Sequence, residues 1–395
     1  MLNASPTAED CISMLEKLIA FDTTSRNSNL ELIEFVQTVL DELDIPTRLT
    51  FNDEKTKANL WATIGPHDKG GVVLSGHTDV VPVDGQDWTS DPFQLTERDG
   101  RLFGRGTCDM KGFVACAFAH ARAMQKADLK TPIHFAFSYD EEVGCVGVKG
   151  LIRDMQENLP TPLAVIVGEP TSMQIVGGHK GGHSYTTTVH GLDGHSSAPD
   201  LGVNAIFYAA KIIAFIEKLA KRLKSSADPQ NGFSPPYTTV DLGLIEGGTA
   251  QNIIPAKCSF SWGFRNIPGD DPEQFAMEVF DFINADILPE MRSVSEQADV
   301  THEQRHHLPA LMPDENSAAE TLLRHLTGLN QSGRVAYGTE ASHFQQAGVP
   351  GVIFGPGSIK QAHLPDEYID VSQMQACHDF MVKLTQWAAS QERIV

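Results

Sequence analysis

The sequence predicts an α/β fold in which a domain built on a largely parallel mixed sheet is interrupted by a second, inserted α+β domain. Three observations carry that prediction. Short apolar runs that do not alternate recur at Gly71–Ser75, Ile133–Ser138 and Leu163–Gly168. They are too short for helices and fit strands covered on both faces. The stretch 180–309 then changes rhythm, with alternating strands grouped around two long amphipathic helices. From about 310 onward the first rhythm returns.

Taken in order, residues 9–21 read as a helix with Ile12, Leu15, Leu18 and Ile19 apolar, and 31–43 as a second. The three apolar runs come next as strands, with a helical stretch at 112–126. In the inserted part, His183–His190 and Lys257–Arg265 alternate as half-buried strands. Asn204–Leu223 and Pro272–Ile287 read as helices, the former with Ile206, Ala210, Ile213 and Leu219 near one face. Ser225–Pro236, rich in Ser, Pro, Asn and Gly, reads as an exposed loop. The last part offers a helix near 316–328, a buried strand at Gly351–Phe354 and a closing helix at 371–390. The expected boundaries are 1–179 with 310–395 for the first domain and 180–309 for the insertion.

The chain has 395 residues, enough for two or three domains. It carries 51 acidic and 30 basic residues, a formal charge of −21. That balance argues against nucleic acid or an anionic membrane as partner, since both call for a basic surface. Six cysteines are scattered with no CxxC pair, which excludes a zinc ribbon or thioredoxin motif and suits a reducing compartment. No stretch resembles a secretory signal or a membrane span. The expectation is a soluble cytoplasmic protein. A P-loop, a dinucleotide fingerprint and a G-x-S-x-G elbow are also missing from the sequence.

The residues just beyond each apolar strand are more telling. After GVVLS come His77 and Asp79; after IHFAFS come Asp140, Glu141 and Glu142; after LAVIVG comes Glu169; after GVIF, at a short distance, comes His363. A loop between the first two strands carries Asp109. In a parallel sheet the carboxyl ends of the strands share one edge, where ligands bind. Two imidazoles and several carboxylates meeting there are ligands for zinc or a similar divalent ion. Packed acids would repel one another without cations, and a pair of metal ions would balance them and suit hydrolysis. His77 and Asp79 stand two apart in an extended segment, so the Asp79 carboxylate is placed to accept the second ring N–H of His77. Asp140 reads as structural.

The chain resembles the di-zinc deacylase and carboxypeptidase family over roughly residues 10–390, most strongly its acetylornithine deacetylase branch. The resemblance rests on SGHTDVVPV (75–83), GRGTCDMKG (104–112), DEE (140–142), GEPTS (168–172), GHSSAPDLGVNA (194–205), FRNIPG (264–269), GTEAS (338–342) and GPGSIKQAHLPDEY (355–368). It implies two divalent metal ions, zinc with cobalt as the alternative. His77 and Glu169 would hold one, Glu142 and His363 the other, and Asp109 would bridge them. Asp79 would orient His77, Glu141 would be the general base, and the Asp109–Met110 peptide would be cis. The inserted domain would serve as lid and dimerisation domain, with His195 of GHSS stabilising an oxyanion in the partner subunit of a homodimer.

Arg265, at the end of an apolar strand, would clamp a substrate α-carboxylate through its bidentate guanidinium. The family often has an Asp two positions earlier, where this chain has Gly263. Asn252 would add hydrogen bonds to substrate. Glu340 would either pair with a substrate ammonium or serve as a first-turn acid of a helix. The implied reaction is removal of acetyl from N(2)-acetyl-L-ornithine, a step of arginine biosynthesis. The alternatives are another N-acyl amino acid hydrolase (a succinyl-diaminopimelate desuccinylase, an acetylcitrulline deacetylase or a dipeptidase) and a non-catalytic binding protein of the same fold.

Overall fold

The three apolar runs and the strand expected at Gly351–Phe354 become the parallel centre of an eight-stranded sheet. A computed structural model describes residues 6–390 of the chain. Strand Val72–His77 pairs in parallel with Ile133–Ser138 on one side and Ala164–Val167 on the other, and Gly351–Ile353 pairs in parallel with Ala164–Val167. Every residue of these four strands is buried. That burial explains why they read as unbroken apolar runs and not as alternation. Two strands beyond those expected, Thr47–Phe51 and Ala58–Ile64, extend the sheet antiparallel at one side.

The registers pair Val72 with both Ile133 and Ala164, and Gly351 with Val165. The strands therefore begin nearly level and end nearly level, which sets their carboxyl ends along one edge. Helices Ala8–Ile19, Gly112–Ala119 and Val371–Ala389 pack on one another in the core beside this sheet. Thr7 starts the first of them through a capping box with Asp10. The expected helix at 112–126 is two helices, Gly112–Ala119 and Ala121–Lys126, meeting at His120. Helix Val148–Asn158 is an addition to the expected elements.

The chain divides into two compact units. One consists of the chain up to Gly178, Pro313–Gly333 and the chain from Thr339 onward; the other is His179–Met312 with Arg334–Gly338. The short segment 334–338 thus differs from the expected assignment. The second unit is built on a four-stranded antiparallel sheet in the order Thr239–Gly247, Lys257–Arg265, Gly182–His190, Asp299–Leu308. Along Lys257–Arg265, Cys258, Phe260, Trp262 and Phe264 are buried in strict alternation. They meet helices Ala205–Ser225 and Pro272–Phe282 in one cluster. The buried face of the first helix is Ala205, Ala209, Ile212, Ile216, Leu219 and Leu223. It is rotated from the expected face, because Ala210 is exposed and Ile206 and Ile213 sit at the margin. Strand Asp299–Leu308 lacks an apolar signature because its run of charged and His residues is largely exposed.

Two features of the first unit make checkable demands. A Cβ on Gly168 would fall 2.0 Å from the Phe113 ring. Gly168→Ala should therefore destabilise this unit by about 1–3 kcal/mol through overpacking, read as an earlier denaturant midpoint. His134 is buried beside Trp61 and Thr63, and burial pushes its imidazole down to about 4. Its folded pKa lies below the unfolded value, so its neutral form supports the fold above pH 6.5 and stability falls from there toward pH 4. The loss is on the order of 3 kcal/mol. In His134→Gln the decline of unfolding free energy between those pH values should be shallower.

Candidate active site

His77, the last residue of its strand, is buried, and its ring is fixed from behind. Nδ1 donates to the backbone carbonyl of Asp79 at 2.9 Å. A carbonyl only accepts, so in the neutral ring the lone pair lies on Nε2. That atom is 3.1 Å from Asp109 Oδ1 and 3.8 Å from Glu169 Oε1. Asp109 presents its other oxygen, Oδ2, 3.3 Å from His363 Nε2, and His363 Nε2 also meets Glu142 Oε2 at 3.0 Å. One carboxylate thus spans two imidazoles. The Asp109–Met110 peptide is cis.

The Asp79 side chain has a different role from the one expected. Its carboxylate stands 3.6 Å from His77 Nδ1, which is already committed to the Asp79 carbonyl. The carboxylate instead accepts from the backbone N–H of Glu141 at 3.1 Å and from Ser25 Oγ at 2.7 Å, with Glu142 N at 3.4 Å. Asp79 orients His77 with its main chain and the acidic turn with its side chain. Asp140 pairs with Lys57 at 2.6 Å. Cys145 Sγ donates to Glu141 Oε1 at 3.2 Å.

This density of buried charge sets the electrostatics. Desolvation, with help from neighbouring acids, pushes Glu141 and Glu169 well above the usual carboxylate range and Glu142 up to about 7. Burial opposes ionisation of Asp109 too, but its two imidazoles outweigh that and hold it low. His363 is pushed up to about 10 by Asp109 and Glu142. His77 ends above its ordinary value, since Asp109 and the surrounding acids overcome its burial. The raised groups, three glutamates and two histidines, say that the cluster draws in positive charge. Donor atoms of His77, Glu141 and Glu169 lie within 4.8 Å of one another, as do those of His77, Asp109 and Glu142. Glu142 Oε1 and Glu169 Oε1 are buried with no hydrogen-bond donor. Imidazole and carboxylate donors, unpaired and aimed inward, fit divalent metal.

A supporting pair went unmarked by the sequence pattern. Arg105 and Glu367, both buried, form an ion pair at 2.5 Å. Glu367 Oε1 accepts from the backbone N–H groups of Cys108 at 2.9 Å and Asp109 at 3.1 Å. Arg105 also donates to Gln86 at 2.6 Å, and Gln86 donates to the carbonyl of His363 at 2.9 Å. Both residues stand inside motifs quoted above, GRGTCDMKG and GPGSIKQAHLPDEY, and an interior arginine demands an acid.

Glu340 stands at a helix start, one of the two settings expected for it. It is buried at the N-terminal end of helix Ala341–Gln346, and its carboxylate accepts from Ser138 Oγ at 2.6 Å and faces Ser75 Oγ at 3.4 Å. Burial raises it to about 7.

In the second unit, His195 and Asn252 come together. Both are exposed, His195 forms a bridge with Ile253, and Ser196 N donates to the Asn252 carbonyl at 3.1 Å. Ser197 donates to His195 Nδ1 from Oγ at 2.7 Å and from its N–H at 3.1 Å. That leaves Nε2 carrying the proton and free to donate. Arg265 is exposed at its strand end and has no ion-pair partner among the described residues. Burial, with the charge of Arg265 beside it, lowers Lys180 to about 8. A Cβ at Gly263 would lie 2.5 Å from the His183 carbonyl, so the strand pairing leaves no room for an orienting acid there.

The sequence profile of peptidase family M20/M25/M40 matches residues 73–387. The chain belongs to that family. It is a hydrolase acting on amide bonds. An acetylornithine deacetylase of Myxococcus xanthus is 36% identical over 374 residues, covering 93% of this chain and 95% of the relative. One of Klebsiella pneumoniae is 38% identical over 321 residues, 80% of each. Among solved structures, a tripeptidase from Staphylococcus aureus superposes with a TM-score of 0.75 at 19% identity, covering 98% of this chain and all of that one. An M20 metallo-carboxypeptidase from Sulfolobus solfataricus gives 0.75 at 18%, covering 96% and 99%. These two share the fold of this chain. A Bacillus subtilis structure with a TM-score of 0.60 at 16% identity, covering 96% of this chain and 97% of its own, is described as a dinuclear metal-binding peptidase of the M20 family.

The Arg105–Glu367 pair generates a prediction. Glu367→Ala removes the acceptor that fixes the Asp109 main chain and should weaken metal affinity about 10–100-fold. Competition against a chromogenic chelator measures it. Affinity equal to the native protein's would mean that the pair only fills the interior.

Proposed function

We propose that this M20 hydrolase removes the acetyl group from N(2)-acetyl-L-ornithine, giving acetate and L-ornithine for arginine biosynthesis in the cytoplasm. The observation that carries the metal-dependent reading is Asp109, whose two oxygens each face a different imidazole. The substrate reading is supported by relatives of that name at 33–38% identity. The six free thiols suit a reducing compartment, and no helix among the described residues is long and apolar enough to cross a membrane.

In this reading His77 and Glu169 would hold one zinc ion, Glu142 and His363 the second, and Asp109 would serve both. When bound, the ions lower the pKa of water and polarise the acyl carbonyl. Glu141 takes the proton of the attacking water and returns it to the leaving amine; its raised affinity for protons suits both halves of that task. The Nε2–H of His195 donates to the developing oxyanion in the partner subunit of a homodimer. Arg265, unpaired and beside Lys180, grips the substrate α-carboxylate, and Asn252 adds a hydrogen bond. The dimer reading is supported by the edge strand Thr239–Gly247, which leaves Leu244 and Ile245 exposed, and by exposed Phe207 on helix Ala205–Ser225.

A panel of N-acyl amino acids assayed with zinc-loaded protein tests the substrate; preference for a succinyl group or a dipeptide would replace acetylornithine. Removing metal with a strong chelator should abolish turnover, and zinc or cobalt should restore it. Glu141→Gln should keep its metal and lose roughly 10²–10⁴ in rate, whereas Glu142→Gln should lose metal. Inactive His195→Ala and Glu141→Gln subunits, mixed equally and allowed to exchange, should regain roughly a quarter of native activity if sites act independently. No recovery after proven exchange would place His195 in its own subunit.

A further inference from the structure

The first unit contains another group of metal-type donors, built from three helices far apart in sequence. Cys11 lies on Ala8–Ile19, His120 where Gly112–Ala119 meets Ala121–Lys126, and His378 on Val371–Ala389. One donor atom from each lies within 4.8 Å of the other two. Cys11 is fully buried and His120 is 1% exposed. None of these residues belongs to the carboxylate cluster.

The rings are set as ligands are set. His120 Nδ1 donates to the Cys116 carbonyl at 2.8 Å. Because that acceptor demands the N–H, the neutral ring keeps its lone pair on Nε2, and Nε2 is buried without a hydrogen-bond partner. His378 turns Nε2 toward the exposed Asp379 carboxylate at 4.0 Å, while its Nδ1 is likewise buried without a partner. The inward lone pair of His120 and the unpartnered His378 nitrogen cost free energy in an apolar core unless something binds them. The neighbouring Cys116 thiol donates instead to the Met374 carbonyl at 3.9 Å.

We propose that Cys11, His120 and His378 bind one divalent ion, zinc, that fastens the three parts of this unit from which they come. Tetrahedral zinc with bonds of about 2.3 Å to sulfur and 2.0–2.1 Å to nitrogen sets its ligand atoms about 3.5 Å apart. The donors observed within 4.8 Å reach that by small side-chain rotations. Binding releases the Cys11 thiol proton to solvent, and water from the His378 side completes the tetrahedron. Entry is from the side of His378, whose side chain is 12% exposed.

Cobalt(II) separates this site from the dinuclear cluster, whose donors are imidazoles and carboxylates without sulfur. The fully cobalt-loaded native protein should show a thiolate-to-cobalt charge-transfer band in the near ultraviolet, and Cys11→Ala should lose it. Elemental analysis after zinc loading and buffer exchange should find one ion fewer per chain in Cys11→Ala and in His378→Ala, with hydrolytic activity retained in both. His378→Ala, altered at a partly exposed residue, serves if Cys11→Ala fails to fold. A native cobalt protein without the band, a band that persists in Cys11→Ala, or equal zinc counts in native protein and His378→Ala would overturn the proposal.

Discussion

The first unit is organised around an electrostatic demand: five acids, Asp79, Asp109, Glu141, Glu142 and Glu169, are crowded at one sheet edge with only two imidazoles for company. Burial makes the demand acute, since Glu169 and Asp109 are 4% and 5% exposed. In water such acids would ionise independently; out of it they compete for whatever positive charge is near. The parallel registers create this crowding by bringing strand ends level, and Asp109 relieves part of it by serving both histidines.

Around that cluster the protein places groups that tie main chain and not only side chains. Asp79 holds the turn of Glu141 and Glu142 by its N–H groups, Glu367 holds Cys108 and Asp109 in the same way, and Gln86 holds the carbonyl of His363. Lys111, buried, donates to the carbonyls of Leu18 and Phe21 and so ties the Asp109 loop to the end of the first helix. Fixing backbone fixes where each donor starts, and buried rotamers then leave few choices. The second unit works differently. Its candidate groups, His195, Asn252 and Arg265, are exposed on loops and a strand end, the setting of groups that meet ligands and do not shape a cavity.

Much of this was legible in the residues. Strands covered on both faces announce themselves by apolar content, and acids placed after such strands announce the edge, which is how His77, Glu141, Glu142 and Glu169 could be gathered without a structure. Strand Asp299–Leu308 was hidden because a sheet with one wet face admits charge at nearly every outward position. Asp79 shows the limit of spacing arguments: two residues apart says which side a group faces, but not whether its carboxylate or its carbonyl gets there first. Glu340 shows another, since a glutamate beside a helix start can be exposed or enclosed, and only the serines of two neighbouring strands decide it. Arg105 and Glu367, more than 250 positions apart, could be paired only by the fold.

The order of the strands also dictates an order of manufacture. Gly351–Ile353 sits between Ala164–Val167 and Val176–His179 in the finished sheet, yet the ribosome delivers it some 170 residues after its neighbours. The stretch His179–Met312 holds all four strands and both helices of its own sheet and can close while synthesis continues. The first unit has no such freedom. Until residue 353 emerges, its apolar centre has an open seam one strand wide, an unpaired edge of the kind that recruits other chains. A nascent chain stalled before residue 351 emerges would therefore carry a finished insertion on a sheet still waiting for its middle.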